Sequence, residues 1–225
     1  MRQRPSRKAL VIHNVTLSFD NGPTGGVTEH VLEVLRRHEL RATFFVLGKN
    51  LADPALYALA QRAHDEGHWI GNHTYSHGVP LGRQTDPDAP AREIGEAQRR
   101  IGILAHPKKF FRPNGGGGML GPHLLSRAAA DYLARGGYTC VLWNAIPRDW
   151  DDPEGWVETA LVQCRATTWA LVVVHDLPTG AMQQLDRFIT RARSEGAVFK
   201  QEFPPDCVAM TEGRPTPKFE AFVAR

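Results

Sequence analysis

The stretch Ala9–Pro23, ALVIHNVTLSFDNGP, carries the reading on which the fold turns. Ala9 to Phe19 is dense in β-branched and apolar side chains, the composition of a strand covered on both faces. It stops abruptly at Asp20 and Asn21, and a Gly22-Pro23 turn follows. The same rhythm recurs outward from this point. Helices are predicted at Val27–His38 and at Pro54–Glu66, the latter behind an Asp53 cap, with a strand at Ala42–Leu47 between them. Further strands are predicted at Trp69–Ile70, Lys109–Phe111, Tyr138–Trp143, Trp169–Val174 and Ala197–Phe203. Helices are predicted between them at Ala91–Ala105, Pro122–Arg135, Pro153–Arg165 and Ala181–Glu195. Strands joined by helices require right-handed crossovers and a parallel sheet. Six or seven such units in 225 residues point to an α/β fold, a single closed or nearly closed (β/α) barrel, with an open doubly wound sheet as the alternative.

The chain divides into a basic tail at residues 1–8, one domain at 9–205 and a Pro-rich, aperiodic extension at 206–225. At 42% hydrophobic and 23% charged it is globular, and no apolar run approaches the ~20 residues of a membrane span. Cys140, Cys164 and Cys207 are far apart with no CxxC pattern, against a disulfide framework or a cysteine zinc site. A net charge of +3, with dispersed basic residues, does not indicate a nucleic-acid partner. No export leader is legible, so the sequence as it stands reads as cytoplasmic, or as periplasmic or extracellular if a leader has been removed.

In an α/β barrel the reacting side chains project from the C-terminal ends of the strands. Five polar clusters occupy that position here: Asp20 with Asn21, His73 with His77, Arg112, Asp149, and His175 with Asp176. In HTYSH, His73 and His77 have the spacing that sets two imidazoles on one side of a helical turn for a divalent metal. His64 and His68 share the spacing but are interrupted by Gly67, and read as solvated surface. Asp20 is either a turn residue or a carboxylate held at the barrel mouth, where Arg112 is its natural partner. His175 is either a core histidine or a titrating group oriented by Asp149.

Taken in order, SFDNGP, HTYSH, FRPNGG, WNAIPRDW and VVVHD resemble the five sequential motifs of the polysaccharide deacetylase family, the NodB-like carbohydrate esterases. The resemblance spans about residues 9 to 205 and implies a distorted (β/α) barrel of seven or eight strands. It further implies metal-dependent removal of N- or O-acetyl groups from glycans or amino sugars, with zinc as the metal and cobalt, manganese or nickel as alternatives. Asp20 becomes the catalytic base, Arg112 its orienting partner, and His73 and His77 metal ligands. His175 becomes the general acid, oriented by Asp149. The Gly115 N–H becomes an oxyanion donor, and Trp150 and Val173 wall the acetyl pocket.

The departures are specific. Asn21 stands where the family's motif has a second, metal-binding aspartate, so the third ligand is an amide oxygen and metal affinity is expected to weaken. Asn114 and Gly115 replace a proline and a tyrosine, and Ile146 replaces the first aspartate of the fourth motif. Two other functions fit the same chain: hydrolysis of C–N bonds in small amides or cyclic imides, as in allantoinase-like relatives, and carbohydrate binding without catalysis.

Overall fold

The computed structural model describes residues 11–225, so the basic tail read at 1–8 and the start of the first predicted strand lie outside the described residues. β1 is Asn14–Asp20, followed by α1 (Val27–Arg37), β2 (Thr43–Val46), α2 (Pro54–Asp65) and β3 (Trp69–Asn72). Next come α3 (Glu96–Ile101), β4 (Phe110–Phe111), α4 (Arg127–Arg135), β5 (Thr139–Val141) and α5 (Trp156–Arg165). β6 (Trp169–His175), α6 (Leu185–Ser194), β7 (Val198–Lys200), β8 (Val208–Thr211) and β9 (Arg214–Pro215) complete the chain.

Parallel pairing runs β6-β1-β2-β3-β4-β5. The two ends of that path meet at one bridge. Past β5, Ala145 donates its N–H to Leu171 O at 3.2 Å and accepts from Val173 N–H at 3.0 Å, closing a six-stranded parallel barrel. β7 lies parallel to the first half of β1, from Asn14 to Thr16, because β2 pairs only with its second half, from Ser18. With β8 this makes eight strands of the expected distorted barrel, and the two-residue β9 extends the sheet by one.

β8 lies in the segment that reads as aperiodic. It runs antiparallel to β5, with Cys140 opposite Met210, and fills the gap left where β5 turns toward β6. Four residues are too few to display a period, and their inward side is buried by contact with a strand seventy residues earlier in the chain. Two predicted helices are also interrupted. Ala91–Ala105 consists of a π-helical turn at Ala91–Gly95, α3, and a 3-10 turn at Gly102–Leu104. Pro122–Arg135 breaks at Leu125, whose extended backbone pairs with Val223, and restarts at Ser126, whose Oγ accepts from Ala129 N–H at 3.2 Å. The Asp53 cap accepts from Ala55 N–H at 2.8 Å. His68 is not surface: it is buried, its Nδ1 accepts from Ala42 N–H at 3.1 Å, and burial pushes its pKa down to about 4. The three cysteines are buried free thiols. No helix among the described residues is long and apolar enough to cross a membrane.

The sheet register brings the C-terminal strand ends to one rim. Asp20 of β1 is level with His175 of β6 and Phe45 of β2, and Asn72 of β3 with Phe111 of β4. Gly71 of β3 makes room inside this ring, since a Cβ there would stand 2.6 Å from the Phe45 ring and 3.3 Å from Phe110 Cβ. Gly71→Ala should therefore destabilise the fold by about 1–3 kcal/mol through overpacking. Gly25→Ala, with nothing within 4 Å of the added atom, should change stability by less than about 0.5 kcal/mol. Urea midpoints of the two variants check the pair of values, and equal midpoints would contradict the packing argument.

Candidate active site

Arg112 follows β4 and is completely buried, a costly position that its partners explain. Its Nη1 donates to Asp20 Oδ1 at 2.7 Å and to Ser18 Oγ at 2.8 Å. Weaker bonds of 3.4 Å reach the carbonyls of Val141 and Leu142, and the Phe45 ring lies 4.0 Å from the guanidinium carbon. Burial by itself raises the Asp20 pKa. The Arg112 guanidinium beside it, through its charge and hydrogen bond and with help from the His175 imidazole, outweighs this and holds the carboxyl below its ordinary 3.8.

His73 comes directly after β3 and is buried. Its Nδ1 is 2.9 Å from Arg112 O, an N–H to carbonyl bond that leaves Nε2 with its lone pair, 3.5 Å from Asp20 Oδ2. The His77 ring centroid is 5.0 Å from that of His73. The two are not on a helical turn, as their spacing suggests; Thr74 and His77 both take positive φ, 69° and 54°, in a tight loop. Glu93 of the π-helical turn clamps that loop, accepting from Tyr75 N–H at 3.1 Å, Ser76 N–H at 2.9 Å and Ser76 Oγ at 2.6 Å. Burial lowers both imidazole pKa values, that of His77 to about 3, so both rings are neutral and free to act as nitrogen ligands. Asn21, with φ 76°, has a buried Oδ1 without a hydrogen-bond partner. Among the described residues no three His, Cys, Asp or Glu side chains form a metal-binding group.

Across the mouth, Asp149 grips His175 twice. Oδ1 is 2.9 Å from Nδ1, and Oδ2 accepts the His175 backbone N–H at 2.9 Å. Burial lowers the His175 pKa, but the Asp149 hydrogen bond and charge more than restore it, so the imidazole titrates above its ordinary 6.5. Trp150 stands edge-on to the His175 ring at 4.8 Å. Asp176 points away into the core, taking the Thr28 hydroxyl at 2.6 Å.

A single cavity of about 300 Å3 is bounded by Asp20, Asn21, His73, His77, His175 and the Pro113–Gly118 loop, with Gly115 within it. Trp150 and Val173 line it too. Trp143, Ile146 and Leu177 also line it, and sequence reasoning gave none of them a role. Glu93 was equally invisible: it lies in a helical stretch far from any motif, and only the fold brings it to the His73–His77 loop.

The polysaccharide deacetylase family profile matches residues 8–141. A chitooligosaccharide deacetylase of Rhizobium leguminosarum bv. trifolii is 34% identical over 165 residues, 72% of this chain and 71% of that protein. A peptidoglycan-N-acetylglucosamine deacetylase of Listeria monocytogenes is 29% identical over 192 residues, 85% of this chain; the match spans only 38% of that protein's length. Among solved structures, a family 4 acetyl xylan esterase from Clostridium thermocellum in complex with a cobalt ion is 27% identical, with a TM-score of 0.67 over 84% of this chain and 87% of the other. On its profile match, its relatives and its barrel, the chain belongs to the polysaccharide deacetylase family.

Proposed function

We propose that this chain hydrolyses the N-acetyl groups of glycans or amino sugars, with Asp20 as base and His175 as acid. The observation that carries the reading is the opposite tuning of two groups facing one cavity. Arg112 keeps Asp20 ionised, and Asp149 keeps His175 protonated to a higher pH than a free imidazole. Paired groups with pKa values pushed apart are the signature of an assigned base and an assigned acid. The deacetylase names of the Listeria and Rhizobium relatives support the substrate class.

In this mechanism Asp20 takes a proton from the attacking water as its oxygen bonds to the acetyl carbon. The Gly115 N–H stabilises the developing oxyanion, a kind of donor worth about 3 kcal/mol in the transition state. His175, held by Asp149, donates its proton to the leaving nitrogen, so that the amine departs neutral. Trp150 and Val173 bound the acetyl methyl. The residues fit a divalent cation: His73 offers a free Nε2, His77 is neutral, and Asn21 Oδ1 is buried with no other partner. His73, His77 and Asn21 would hold that cation, zinc foremost, whose chemistry when bound is Lewis-acid polarisation of the carbonyl and acidification of a water. Asn21 in place of a carboxylate removes one negative charge from this set, which lowers its affinity for cations. Hydrolysis of small cyclic amides and carbohydrate binding without turnover both lack a specific observation in their favour.

The full chain with added zinc should release acetate and free amine from N-acetylglucosamine oligomers, and Asp20→Asn should reduce the rate by about 10²–10⁴-fold. Absence of acetate across chitin and peptidoglycan fragments would end the proposal. The rate requires protonated His175, so it should fall as pH rises through a value above 6.5. In Asp149→Asn, loss of the hydrogen bond and charge that raise the His175 pKa should move the same alkaline limb to lower pH, while an unmoved limb would remove His175 from the acid role. Zinc titration by calorimetry should show Asn21→Asp binding about tenfold or more tighter than the parent, and equal affinities would take Asn21 out of the ligand set.

A further inference from the structure

We propose that the apolar half of this cavity receives an acyl group longer than acetyl, so that the preferred substrates are amino sugars bearing a short or medium alkanoyl chain on nitrogen. The proposal rests on the hydrolytic reading above and specifies its substrate class. Acetyl places one methyl beyond the reacting carbonyl. An apolar cavity of about 150 Å3 accommodates benzene, and this one measures about 300 Å3. A six-carbon acyl chain is comparable in size to benzene, so about half of this volume would hold it.

The lining is apolar where such a chain would lie. Trp143 and Val173 belong to one buried apolar cluster with Ile146 packed against it, and Trp150 continues the wall to His175. Residue 115 has no side chain, and the Trp143 ring takes the vacated space: a Cβ at Gly115 would stand 2.7 Å from it. Trp143 Nε1 donates to Gly118 O at 2.8 Å, so its polar atom is satisfied and its carbon face lines the cavity. Ile146 lies against Gly118, where a Cβ would come within 3.1 Å of its side chain. Asp20 is the only Asp, Glu, Lys or Arg side chain among the described residues that line this cavity.

Outside the cavity, the adjoining loops carry exposed apolar side chains. Asn114 Nδ2 donates to Gly78 O at 2.5 Å, tying the glycine loop to the loop after His77. Those loops carry Val79, Met119 and Leu120, exposed by 59%, 73% and 43%. Three of the seven large exposed hydrophobics among the described residues are thus carried by two loops that Asn114 joins and that each contribute residues to the cavity wall. The chemistry is the same for any chain length. The amide C–N bond breaks, a C–O bond to water forms, the water proton goes to Asp20 and the His175 proton to the amine, giving a carboxylic acid and a free amino sugar.

The test uses the full chain with zinc and glucosamine N-acylated with acetyl, butanoyl or hexanoyl, measuring release of primary amine. In parallel, tryptophan fluorescence titrations with acetamide, butanamide and hexanamide measure binding without turnover. Hexanoyl should exceed acetyl in kcat/KM by about tenfold or more, and amide affinity should rise about fourfold per added methylene. Ile146→Trp, which fills the apolar half, should lower the hexanoyl-to-acetyl ratio by about tenfold; should it not fold, the amide series on the parent still decides. Acetyl as the best substrate with chain-length-independent amide affinity overturns the proposal and leaves the deacetylase reading standing. Rising amide affinity with no turnover of any conjugate upholds the acyl pocket and overturns the hydrolytic reading.

Discussion

A guanidinium with no exposure to water sits at the centre of this barrel, and its ion pair with Asp20 organises the rest of the site. A buried charge is tolerable only when paired and hydrogen-bonded, and removal of one member of such a pair costs about 3–5 kcal/mol. Arg112 meets that demand by drawing on four strands: Ser18 and Asp20 from β1, the Phe45 face from β2, and carbonyls at the end of β5, with its own backbone at the end of β4. Its own carbonyl then takes the His73 proton. One residue therefore fixes the ionisation of a carboxylate and the tautomer of an imidazole, and ties both to closure of the barrel.

The two sides of the mouth are built on different principles. On one side, ionic pairing keeps Asp20 charged and burial keeps His73 and His77 neutral, which sets a negative group beside free nitrogen lone pairs. On the other, Asp149 binds both the ring and the backbone of His175, so its orientation and its proton affinity have a single cause. The loops between these sides are held by polar clamps, Glu93 under the His73–His77 loop and Asn114 against Gly78. Positive φ at Thr74 and His77 is sustained because Glu93 fixes the residues between them.

Much of this was legible from the residues. β2, β6, α1 and α2 follow their predicted segments to within a residue, and β1 ends beside its predicted end but begins only at Asn14, since Val11–His13 are not part of the strand. The polar residues that end the strands were visible as interruptions of apolar runs at Asp20, Arg112 and His175. Even the two-residue β4 lies within its predicted segment, Lys109–Phe111, whereas the four-residue β8 falls in the extension that reads as aperiodic and was not legible. His68 misled because a Gly-flanked histidine pair looks solvated, while its burial depends on the backbone N–H of Ala42, supplied by a strand end twenty-six residues away.

By itself the sequence determined the α/β class, the order of the motifs and the kinds of group available at the rim, because apolar periodicity and residue chemistry are local properties. Tertiary structure alone decided the barrel's closure through Ala145, the entry of β8, the clamp at Glu93 and the apolar wall made by Trp143 and Ile146. Each of these joins residues far apart in the chain, and such a contact forms only once the intervening elements have packed and removed water between them.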